Sequence, residues 1–367
     1  ACEYCRWDAV RMIFRLGVMR IDWIDRWRGA LIVCIVLFHV IGMVQIYAGD
    51  SFPILGIVKR TISTFHVVSF FAVSAVLWKS RDANAMWTRF LGQKAFRLLV
   101  PYAAFGSLMC GVFWLASWLG AGSAADYAEV AEASWWTPLV SLALGKADRA
   151  VGPLWFLPCL FVVTVLYRSI SPYMTSRRRL CLAALAFFSL RFAVQLLQPP
   201  YVMFNLWMSF DYLVYFCLAR AFIPREIPAW IRRCRVVGLL AGGVFLAFAG
   251  GECPWSLISG ASLWIYPSKV VRGCCGLFGF LCLVQSVDGK WLSRVGRDTL
   301  GILVMHKFVI VAVQFACARA GVFAALSMGQ AVAFVVVLST VTITLSMAGT
   351  SVVRRVCPML LGEEVHR

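Results

Sequence analysis

The stretch "RGALIVCIVLFHV", residues 28–40, is an apolar run with an arginine at its head and a histidine eleven residues on. Such a run reads as a membrane-spanning helix, where an imidazole is costly unless it is paired or solvated. Eleven steps of about 100° bring a side chain back to nearly the same face, about 16 Å further along the axis. Arg28 and His39 therefore share a stripe, and Asp25 falls close to it. Two readings follow. Either His39 is bonded to a neighbouring helix while Arg28 anchors the inner boundary, or the stripe is functional.

The rest of the chain supports a membrane setting. Its 367 residues are 61% hydrophobic and 14% charged, with a mean hydropathy of +0.81. A soluble domain is nearer a quarter charged. Apolar runs long enough to cross roughly 30 Å of hydrocarbon recur along it, and short alternating segments of the kind that build a barrel are absent. An all-α polytopic membrane protein is expected. The fourteen cysteines are scattered without CxxC or His/Cys ligand spacing, so no metal site is indicated. Arg6, Arg11, Arg15 and Arg20 interrupt any early apolar core, so no cleavable signal peptide is expected.

Apolar windows give ten spans, near 27–48, 63–79, 98–119, 153–171, 179–197, 202–222, 236–251, 269–287, 297–318 and 329–350. Lys and Arg in alternate connections total 26 on one side and 8 on the other, with Lys307 inside a span. Basic residues gather in cytoplasmic loops, so both termini are expected in the cytoplasm. The net charge of +18 is thereby explained without a nucleic-acid partner. Residues 1–26 read as a basic amphipathic helix on the inner surface, resting on membrane lipid. Residues 27–350 form the membrane domain, and 351–367 a cytoplasmic tail. The longest connection, 120–152, carries Asp126, Glu129, Glu132, Trp135 and Trp136 and is expected to face outward.

His66 and His306 also fall in or near spans, and only His366 lies in a tail. That placement favours a catalytic or proton-handling site, although either histidine alone reads equally well as structural. Lys94 and Arg97, one turn apart before Pro101, offer two cations to an anion at the inner face. Spacing alone favours a plain cytoplasmic anchor. Asp211 is a carboxylate within a span and calls for a cation, with Lys269, Arg272 and Lys307 as candidates. Arg191, in the fifth span, is another candidate.

Together these segments resemble the acyltransferase-3 family of bacterial membrane O-acyltransferases, most closely its fucose-4-O-acetylase-like branch. "DRWRGALIVCIVLFH" matches the first-span pattern with Asp25, Arg28 and His39, and "FHVVSFFAVSA" matches the second with His66, Phe70, Phe71 and Ser74. Ala75 stands where the family usually has glycine. "KAFRLLVP" resembles the basic pair before a proline, with Lys94 in place of the commoner Arg. "GPLWFLPCLF" and "TLGILVMHKF" match two later segments, with Trp155 and His306, and Leu303 replaces a common Tyr.

The resemblance implies an enzyme of the bacterial inner membrane that takes acetyl from cytoplasmic acetyl-CoA. The acceptor would be a hydroxyl of a cell-surface or lipid-linked glycan. It implies His39 as general base with Arg28 and Asp25 beside it, and Arg28, Lys94 and Arg97 on the donor. His66, Trp155, Asp211 and His306 would line the acceptor's side. No metal is required. The rival from another class is a glycan or solute transporter in which buried His, Asp and Arg gate a path or relay protons.

Overall fold

Among the described residues no strand occurs, and the chain is built from helices laid side by side. The computed structural model describes residues 21–49, 51–118, 136–146, 152–224, 226, 235–250, 262–287 and 289–363. Most of the expected amphipathic segment 1–26 lies outside the described residues. So do Asp126, Glu129, Glu132, Trp135 and His366.

The helices are α1 (Asp22–Ala48), α2 (Pro53–Val76), α3 (Ser80–Asn84), α4 (Trp87–Trp118), α5 (Thr137–Leu144), α6 (Phe156–Ile170), α7 (Arg177–Leu197) and α8 (Leu206–Phe222). They continue as α9 (Arg235–Gly250), α10 (Ser262–Ser286), α11 (Lys290–Arg297), α12 (Thr299–Arg319) and α13 (Met328–Val356). Helices satisfy their own backbone hydrogen bonds, which hydrocarbon cannot do for them. Local signals set their ends. Asp22 and Asp25 sit in the first turn of α1, where the helix dipole favours acid. Pro53 opens α2, and Ser327 with Gln330 forms a reciprocal capping box on α13.

Among the described residues eight helices are long and apolar enough to cross a membrane. They correspond to eight of the ten expected spans, and the all-α polytopic class stands. The other two expected spans fall on α8, with 17 residues, and α9, with 16. α8 is shorter than its 202–222 window, whereas α9 has the same 16 residues as its 236–251 window. On α8 the difference has a visible cause. Phe204 and Asn205 adopt left-handed backbone angles, so helical winding begins only at Leu206. Within the long 120–152 connection, α5 is pinned where Tyr102 Oη donates to the Leu142 carbonyl at 2.6 Å and Asn205 Nδ2 donates to the Gly145 carbonyl at 2.6 Å.

α1 and α2 sit at the centre. α1 packs against α2, α10, α11, α12 and α13, and α2 packs against α8, α9 and α10. Trp27, Leu31, Val36, Val40 and Val44 of α1 are fully buried. The tightest contact lies between α1 and α11. A Cβ on Gly29 would run into the Leu292 carbonyl, and one on Gly296 into the Asp25 carbonyl, so the two backbones touch. Small residues at such crossings allow the close approach on which packing in lipid depends. Ser293 Oγ adds a hydrogen bond to Asp22 Oδ1 at 2.7 Å. The N-terminal turns of α1, with Asp25 and Arg28, are thereby fixed from behind.

Replacing Gly296 by Val should force α11 off α1 and destabilise the fold by about 1–3 kcal/mol or more. Equilibrium unfolding in mixed micelles checks this, and an unchanged midpoint would contradict the crossing.

Candidate active site

A single cavity of about 1990 Å³ runs inside the bundle. α1 turns Asp25, Arg28, Ile35 and His39 onto its wall, α2 adds His66, Phe70 and Ser74, and α4 adds Lys94, Arg97 and Phe113. Trp155 enters from the 3₁₀ turn Gly152–Trp155, and Lys307 from α12. The stripe on α1 thus faces one space from its first turn to mid-helix. Ionisable groups in a span need partners or a polar cavity, and α1 receives both.

One end of the cavity is rich in charge. Arg28 Nη1 lies 3.6 Å from Asp25 Oδ1, a pair spaced for one helical turn. Arg97 is close enough to Arg28 for the two guanidiniums to repel. Lys94 Nζ is 3.3 Å from Asp82 Oδ2 on α3 and stands over the rings of Trp78 and Phe90 at 5.6 and 5.5 Å. The C-terminal side of the chain returns to this point. The turn Pro358–Leu361 packs on α4, where a Cβ on Gly362 would collide with the Arg97 backbone. Arg354 bonds Asp298 at 2.9 Å and both carboxylate oxygens of Glu363 at 3.0 Å. Around the whole cavity eight Lys and Arg side chains face four carboxylates, an excess that suits a polyanionic ligand.

Deeper in, three histidines gather. The His39 ring lies 5.3 Å from the His306 ring, and Phe38 stands 5.1 Å from His66. His66 Nδ1 donates to the Ile62 carbonyl at 2.7 Å, and His306 Nδ1 to the Ile302 carbonyl at 3.0 Å. A backbone carbonyl can only accept, so each bond fixes a tautomer with its lone pair on Nε2. His306 is fully buried, and its Nε2 has no hydrogen-bond partner among the described residues. Lys307 and Lys59 are near enough to act on His39 electrostatically. Lys307 lies against Gly152, and Lys59 Nζ stands 5.5 Å over Phe38.

Of the residues singled out in the sequence, Asp25, Arg28, His39, His66, Lys94, Arg97 and Trp155 line this cavity, and His306 stands directly behind His39. Asp211 does not share it. Its carboxylate is buried and pairs with Lys269 at 2.7 Å, one of the four cations considered for it. Its neighbour Tyr212 does touch the cavity wall by stacking on Trp155, with ring centroids 6.0 Å apart. Lys79, Arg89, Arg297 and Arg354 entered the sequence analysis only through the count of basic residues in the connections, and all four line the cavity. Charge at a helix end marks a boundary equally well whether or not it faces a site, so only packing distinguishes the two.

An acyltransferase domain model, that of the acyltransferase-3 family, matches residues 21–350, nearly the whole helical bundle with every motif quoted above. The chain belongs to the acyltransferase-3 family. It is a multi-pass membrane acyltransferase. No curated protein and no solved structure matches it. Among the described residues no group of His, Cys, Asp and Glu is placed to hold a metal ion.

The cavity has a sharp local signature on α2, where Ser74 lines it and Ser69, one and a half turns earlier, is fully buried. A Ser74→Cys variant should react with a hydrophilic maleimide above the background of native cysteines, while Ser69→Cys should not. Equal labelling of both would contradict the cavity's course.

Proposed function

We propose that the chain moves an acetyl group from cytoplasmic acetyl-CoA to a hydroxyl of a cell-surface or lipid-linked glycan, with His39 as general base. The supporting observation is the single cavity that joins the cationic end at Arg28 and Arg97 to the histidines. Acetyl-CoA is long, with several negative charges at one end and a thioester at the other. Phosphates at Arg28, Lys94 and Arg97 would send the thioester up the α1 stripe, a rise of about 16 Å from Arg28 to His39. The likeness to the fucose-4-O-acetylase-like branch favours acetyl over succinyl and a sugar as acceptor.

The chemistry asks little beyond positioning and one base. A hydroxyl is a weak nucleophile, and neutral imidazole takes its proton as the oxygen attacks the thioester carbonyl. The C–S bond then breaks and the departing sulfur receives that proton, so the base is restored. His306 orients the base, because its bare Nε2 can accept an N–H from His39. Nearby Lys307 stabilises the oxyanion. His66 and Trp155 shape the acceptor's side, with Asp211 behind Tyr212 as support for Trp155. The lysine and arginine bias supports a cytoplasmic position for the cationic end and both termini, and the likeness to bacterial membrane O-acyltransferases favours the bacterial inner membrane.

His39→Ala should lower acetyl transfer by about 10²–10⁴-fold while the protein inserts at its normal level and still binds donor. Mass spectrometry of surface glycans and labelled acetyl-CoA turnover by purified protein read this out, and full activity would overturn the role. Arg97→Ala should instead raise the KM for acetyl-CoA with a smaller effect on kcat. An unchanged KM would remove Arg97 from the donor site. A transporter would leave labelled acetyl-CoA untouched with any acceptor.

A further inference from the structure

A second recess, of about 450 Å³, lies between α7 and α10, apart from the main cavity. It is bordered by Arg191, Gln195 and Gln198 from the end of α7 and by Ile265, Tyr266 and Lys269 from the start of α10. Its charges do not balance. Lys269 Nζ pairs with the buried Asp211 carboxylate at 2.7 Å, which neutralises one cation. Arg191 stands with its guanidinium 5.5 Å over the Tyr266 ring, and its Nε is buried without a hydrogen bond. Among the described residues no carboxylate pairs with it. Two cations against one carboxylate leave a net positive charge in helices that cross hydrocarbon, where an uncompensated charge is costly.

A bound anion would remove that cost, and the donors present suit a phosphate. A guanidinium offers a planar fork to two phosphate oxygens. The Lys269 ammonium keeps protons beyond the one given to Asp211, and it is half exposed. The Gln195 and Gln198 amides edge the same space.

The surroundings indicate where the phosphate comes from. Leu190 and Leu197 on α7 and Ile265 on α10 are exposed apolar side chains flanking the recess, the surface that an alkyl or prenyl chain covers. Arg191 lies about 9 Å from the end of α7, and Lys269 about 10 Å from the start of α10, a depth just inside the headgroups. The recess also lies at the other end of the bundle from the Arg28 mouth. Gln285, near the end of α10, bonds the Trp23 carbonyl at the start of α1, and Lys269 is about 24 Å back along α10.

We propose that the recess formed by Arg191, Lys269 and Tyr266 binds the phosphate group of an anionic membrane lipid whose apolar chain lies against α7 and α10. This site does not depend on acyl transfer. The test uses the full chain, purified and stripped of lipid, then offered micelles doped with phosphatidylglycerol or phosphatidylcholine, with inorganic phosphate in a separate arm. Native mass spectrometry should show one phosphatidylglycerol per chain surviving where phosphatidylcholine is lost. Arg191→Gln should weaken that retention by about tenfold or more, the loss expected for a charge-assisted hydrogen bond. Arg191→Lys, which keeps the charge, should restore part of it and shows that loss is not misfolding. Inorganic phosphate should not displace the lipid at millimolar concentration. Equal retention of both lipids, unaltered retention in Arg191→Gln, or binding of inorganic phosphate alone would overturn the proposal.

Discussion

A helix that carries an arginine, an aspartate and a histidine through hydrocarbon must give each of them a partner or a polar space. α1 meets this constraint by placing Asp25, Arg28 and His39 on one stripe along one cavity. Much of the bundle is arranged around that placement. α11 crosses behind the first turns at Gly29 and Gly296, which leaves the charged face free to look inward. α2 brings His66 and Phe70 to the same cavity, and α12 puts His306 behind His39. Polar groups inside a membrane protein are expensive, so their collection in one space is the clearest mark of where the chemistry lies.

The cationic end illustrates how charge is both concentrated and held in check. Three of its cations are tethered to carboxylates: Arg28 to Asp25, Lys94 to Asp82, and Arg354 to Asp298 and Glu363. The carboxylates are too few to neutralise the cavity, so its field stays positive while the side chains keep a fixed geometry. Such an arrangement binds a polyanion at little further ordering cost. The turn Pro358–Leu361 completes it from a distant part of the chain, resting on the backbone at Arg97.

Much of this was legible in the sequence, because period and charge are local properties. Eleven residues from Arg28 to His39 fix a common face whatever the rest of the fold does. Apolar run length gave the helical class. It overestimated α8, since a left-handed pair at Phe204 and Asn205 delays that helix without changing hydropathy. The contributions of Arg297, Arg354 and Glu363 were not legible, because they depend on where α11 and the end of α13 pack. Asp211 shows the same limit. Its need for a cation was plain from its place in a span, but only packing selected Lys269 from the four candidates and set the pair outside the main cavity.

The central proposal is that one cavity takes the acyl donor by its phosphates at Arg28, Lys94 and Arg97 and sets its thioester beside His39, the base for the acceptor hydroxyl. The most direct measurement is a cryo-EM structure of the protein with a non-transferable thioether analogue of acetyl-CoA. The account predicts phosphate density against Arg28 and Arg97 and the thioether within contact distance of the His39 ring. An analogue bound elsewhere, or bound with its acyl end away from His39, would contradict it.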